Sequence, residues 1–146
     1  MSLRRLRVGE LLVLAGVVLL VVSLFEPWYE GAVSGQLDAW DTFGAAMVLV
    51  LACLCAGLAM VVSALGERDA ALPVSAAVWS VLLGVIGVVA AVVRVLERPD
   101  HASSLCIGAW LALAGTTAVL VGSWLAVRDE RPNLYTPSHP AARPRP

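Results

Sequence analysis

The chain has 146 residues, 60 % of them hydrophobic and only 14 % charged, with a formal net charge of −1. That length suits one domain, and the composition lies far from the soluble average of about half apolar and about a quarter charged. A near-neutral charge gives no basis for a nucleic-acid partner.

Four apolar runs follow one another, at about residues 8–25, 43–65, 73–96 and 104–127. Each approaches the length a helix needs to cross a hydrocarbon core of about 30 Å. A soluble domain of this size could not bury four such segments side by side. In a bilayer each can satisfy its own backbone as a helix. The expected fold is therefore all-α: a four-helix transmembrane domain over residues 1–127, antiparallel and up-down-up-down. The lipid bilayer is the first partner that this fold implies.

The first run follows Arg4, Arg5 and Arg7, and Ala32-Val33-Ser34 has the small-x-small look of a signal cleavage site. The run is long for a signal core, however, and Glu26 and Glu30 lie before that site. An uncleaved first helix is the expectation. Glu10 is the one acid within this first span. It allows two readings, an interfacial ion pair with Arg7 one turn back or a proton-exchanging carboxylate of a small transporter.

Residues 26–42 form the expected outer loop. Pro27 discourages continuation of the first helix. Asp38, with Asp41 three residues on, can cap the start of the second. Trp28, Tyr29 and Trp40 sit at the outer boundary, as interfacial aromatics do. If the loop folds back, these rings and Phe43 could pack together as a small lid on the bundle, and they are also candidate anchors for a partner surface. Glu26, Glu30, Asp38 and Asp41 could gather a divalent cation, but their spacing matches no calcium loop, so no metal and no cofactor is expected.

The second run carries Cys53 and Cys55, which point to nearly opposite sides of a helix and cannot chelate one ion. Together with Cys106 they read as core residues. Pro73 suits the first turn of the third helix. Arg94 falls near that helix's outer end, where a charge in a membrane needs a partner. Two readings stand: a clamp to Asp41 that holds the outer loop over the bundle, or a side chain that snorkels to the headgroups. Pro99 is expected to stop the outward extension, and Asp100 or Ser103 to cap the fourth helix. Trp79 and Trp110 lie about a turn and a half inside their spans and could pack within the bundle, and Trp124 marks the inner boundary. Residues 128–146 are rich in Pro and polar groups and read as a disordered tail.

Arginine placement sets the orientation. Arg4, Arg5, Arg7, Arg68, Arg128 and Arg131 belong to one side. The other has Arg94 and Arg98, offset by Glu97 and Asp100. Both termini should be cytoplasmic and the acidic loop outside, in a cell membrane.

Small residues recur at seven-residue intervals. Gly9, Gly16 and Ser23 lie on the first helix, and Ala45, Ala52, Ala59 and Gly66 on the second, with Ala56 and Ser63 at the half-steps. Ala77, Gly84 and Ala91 lie on the third, with Gly87 between, and Gly108, Gly115 and Gly122 on the fourth. Inside lipid such residues mark contact faces because they let backbones approach. A seven-residue repeat implies left-handed crossing.

The stretch "LFEPWY" closing the first helix, a Gly/Ser-bearing loop, and "AWDTFG" opening the second resemble a group of small four-helix membrane proteins of GC-rich, actinobacterial-type bacteria with no assigned activity. The resemblance implies topology and location, and transfers no catalytic residue. No nucleophile elbow, phosphate loop or zinc spacing is present, so no enzyme is expected. The expected function is association, with itself as a homo-oligomer or with a membrane protein partner in an envelope complex. A small dimeric transporter or channel is the alternative.

Overall fold

A computed structural model of the chain describes residues 8–31, 35–41, 44–65, 71–97 and 102–129. The N-terminal arginines, Phe43, Gly66, Arg68, Pro99, Asp100 and the Pro-rich tail lie outside the described residues.

Four helices make the bundle: α1 Val8–Ser23, α2 Ala45–Leu65, α3 Ala71–Leu96 and α4 Ile107–Asp129. Three of them are long and apolar enough to cross a membrane, and α1 is a shorter apolar helix of 16 residues. At 1.5 Å per residue the described part of α1 spans about 24 Å. It ends earlier than the expected residue 25 because its last turn tightens. Leu24 N–H donates to the Val21 carbonyl at 3.2 Å and Phe25 N–H to Val22 at 3.1 Å. Pro27 then ends the helical run.

The helices stand in a ring in the order α1, α4, α3, α2, with only a thin contact between α1 and α2. Contacts along each pair run in opposite senses. On α1 and α4, Gly9 meets Gly122 and Gly16 meets Gly115; on α3 and α4, Gly84 meets Leu120 and Gly87 meets Thr116. Between α2 and α3, Cys53 meets Gly87 and the Ser80 hydroxyl donates to the Ala56 carbonyl at 2.8 Å. Each helix is therefore antiparallel to its neighbours, in the up-down-up-down arrangement that short connections favour.

The bundle's apolar residues are sorted by size in the sense that lipid favours. Glycine, alanine and serine supply much of the interior, including Gly16, Ser80, Gly84, Ala112, Gly115 and Ser123. Valine, leucine and tryptophan cover much of the outside, including Val18, Leu58, Val62, Trp79, Leu82 and Val89. Water would not tolerate that outer belt; hydrocarbon does, and small interior residues gain dispersion by close approach.

The α1/α4 seam is the tightest. A Cβ built at Gly9 would lie 2.7 Å from the Gly122 carbonyl oxygen, and one at Gly122 would lie 2.7 Å from that of Gly9. Gly16 and Gly115 repeat the relation one heptad on, at 2.8 and 3.0 Å. Such reciprocal approach brings Cα–H groups against carbonyls, a weak but repeated attraction.

On α2 the expected face is corrected in part: Ala56 is buried and its carbonyl meets Ser80, but the alanines of the seven-residue repeat are not. Ala45 and Ala59 are exposed and Ala52 is only half-buried, whereas Met47, Val50, Cys53, Ala56, Gly57, Met60 and Val61 are buried. Close approach needs smallness from only one partner. Gly87 of α3 supplies it opposite Cys53, where an added Cβ would lie 2.7 Å from the Cys53 Cβ. The larger α2 side chains then fill the core, and Gly57 admits Val17 and Val119 to the bundle's centre.

The outer connections form a sheet that the sequence reading lacks. Strands β1 Tyr29–Gly31, β2 Gly35–Leu37 and β3 Ala102–Leu105 pair antiparallel in the order β2-β1-β3. Tyr29 stands opposite both Leu37 and Leu105, and Glu30 opposite Gln36 and Ser104. Strand alternation therefore turns Tyr29 into the bundle and Glu30 outward, with Leu37 and Leu105 packed against the core. Gly35 opens β2 with φ of 80°, a left-handed conformation that favours glycine.

Candidate functional site

Among the described residues, two surfaces are candidate sites: the cap that the sheet forms at one end of the bundle and the outward face of α4. The cap is built by backbone pairing that runs from the sheet into a helix end. Trp28 N–H donates to Leu37 at 2.9 Å, Cys106 N–H to Trp28 at 2.9 Å and Gly108 N–H to Pro27 at 2.8 Å. The last bond satisfies one of the amides that the first turn of α4 leaves without an intrahelical acceptor.

Trp28 and Tyr29 do not form an exposed partner surface. Trp28 is 1 % exposed and Tyr29 fully buried, whereas Trp40 is 50 % exposed. Burial is stabilised by a partner for each polar end. The Trp28 indole N–H donates to the Ser23 carbonyl at 2.6 Å, and the Tyr29 hydroxyl donates to the Arg94 carbonyl at 2.7 Å. Gly108 makes room for the indole: a Cβ there would lie 2.6 Å from Trp28 Cδ1. Trp28 thus wedges between the end of α1 and the start of α4.

The expected clamp between Arg94 and Asp41 is likewise corrected. The Arg94 guanidinium carbon lies 5.6 Å from the centre of the Tyr29 ring, within cation–π range. Tyr29 therefore touches both ends of the same residue, its ring under the cation and its hydroxyl on the backbone. Asp41 is engaged in its own turn: its carboxylate accepts from Asp38 N–H at 3.2 Å, while the Asp38 carboxylate accepts from Trp40 N–H at 2.7 Å and Asp41 N–H at 2.9 Å. This reciprocal capping box precedes α2 rather than starting it, since α2 begins at Ala45.

Burial holds the Tyr29 phenol above its ordinary pKa of 10.0, against the opposing pull of the Arg94 charge. A phenol whose folded pKa is raised stabilises the fold fully below the unfolded value, and that contribution is lost as pH rises through the folded value. The Tyr29 signal in an alkaline ultraviolet titration, taken as the difference from Tyr29→Phe, is expected above pH 10.0. Titration at or below the ordinary value would contradict the buried placement.

The acids do not converge. Ser104 donates to the Glu30 carboxylate at 2.8 Å on the sheet's outer face, and Asp38 and Asp41 serve their turn. Among the described residues, no group of three or more His, Cys, Asp or Glu side chains is placed to hold a metal ion. Cys53 is buried, Cys55 exposed on the opposite side of α2, and Cys106 half-buried at the cap.

The outward face of α4 differs from those of its neighbours. Trp110, Ala114, Thr117, Val121 and Trp124 are all exposed, spaced alternately by four and three residues. Where α3 presents Leu82, Val85 and Val89 outward, α4 presents alanine and threonine between two tryptophans. The small side chains leave an apolar groove of about 450 Å³ whose lining includes Leu12 of α1. The Thr117 hydroxyl donates to the Leu113 carbonyl of its own helix at 2.7 Å. Trp110 and Trp79 face out of the bundle, at 54 % and 63 % exposure, and are not packing residues within it.

Val13, Val17, Leu20, Val50, Cys53, Met60 and Val119 fill the core. The charged residues of the described helices sit in first or last turns: Glu10, Arg94, Arg128 and Asp129. No protein family, curated protein or solved structure matches the chain.

Proposed function

We propose that this is a non-enzymatic multi-pass membrane protein that works by lateral association, with a second copy or with a larger envelope complex. The observation that carries the reading is the grooved outward face of α4. Where α3 presents Leu82, Val85 and Val89 outward, mid-helix Ala114 and Thr117 leave a groove with room for another helix backbone. The outer loop takes a smaller part than the sequence suggests, because two of its three aromatics are inside the fold. The filled core and the terminal placement of charges weigh against a transport path.

Ala114→Leu and Thr117→Leu fill the groove from the outside without touching the buried seams. Association in nanodiscs or mild detergent, read by mass or by co-purification, is expected to weaken about tenfold or more, a change of about 1.4 kcal/mol. Val89→Leu, on the outward face of α3, should leave it unchanged. A protein that is monomeric and partnerless before substitution, or whose association ignores both variants, sinks the reading.

The proposed setting is a cell membrane with both termini on the cytoplasmic side, as the arginine distribution favours. In a Cys106→Ser background, an impermeant thiol reagent added to intact cells should label Gln36→Cys and not Asp129→Cys. Labelling of both from one side would overturn the topology.

A further inference from the structure

We draw no further inference here: the strongest candidate, the apolar groove of about 300 Å³ between α2 and α3 lined by Leu49, Ile86, Val89 and Val93, is an open face of the bundle, and nothing in the structure shows what covers it.

Discussion

Gly115→Leu is expected to lower stability by about 3 kcal/mol, the upper end of the usual overpacking cost, read as a fall in the thermal midpoint in mild detergent. The reason lies in what the new side chain meets. Its Cβ would already stand 2.8 Å from Leu20 Cγ and 3.0 Å from the Gly16 carbonyl oxygen. Leu20 can shift, but the α1 backbone cannot move without carrying the Gly9–Gly122 contact with it. Gly16→Leu should be as severe, since a Cβ there lies 2.8 Å from the Gly115 carbonyl oxygen. Gly44→Ala is the matched control, because an added Cβ finds nothing within 4 Å. If Gly115→Leu and Gly44→Ala behave alike, α1 and α4 do not meet along this seam.

Trp28→Ala is expected to cost about 3–5 kcal/mol, as large buried aromatics do on truncation. Its effect should be concentrated at the outer end. The indole fills the space that Gly108 opens and donates to Ser23, so its loss detaches the end of α1 from the start of α4. Hydrogen exchange should then rise at residues 29–31, 35–37 and 102–105 more than at the α2/α3 contact around Ser80. Trp40→Ala, half exposed in the same loop, should change neither. Equal exchange in the Trp28 and Trp40 variants would mean that the cap does not hang on the buried ring.

The helices were legible because each carries an unbroken apolar run, and hydrocarbon leaves the backbone no alternative to helical pairing. The faces of α1, α3 and α4 were legible where glycine lies opposite glycine, or stands against a bulky partner. On α2 the same rule misleads. Ala45 and Ala59 are exposed and Ala52 only half-buried, and the small residue opposite Cys53 is Gly87, on a different helix. A single sequence does not say which side of an interface provides the space. The cap was hidden for another reason. Its strands are three or four residues long, too short for alternation to stand out, and β3 joins from a loop that lies far along the chain. Tyr29 and Trp28 read as interfacial residues because aromatic rings near a helix end usually are. Only the pairing of Tyr29 with both Leu37 and Leu105 turns that ring inward. Arg94 reads as a cation in need of company, and its contact with the Tyr29 ring depends on the same unseen sheet.

The principal neighbour of α1 is α4, the last of the described helices, and the strand that follows α1 pairs with the strand that precedes α4. During synthesis, which runs from the N-terminus, α2 and α3 can close on each other early, but the opening segment must wait in the lipid with its glycine face uncovered. A chain stopped before residue 102 would hold α1 without its main helix partner and β1 without β3. Closure of the ring thus waits on the synthesis of α4.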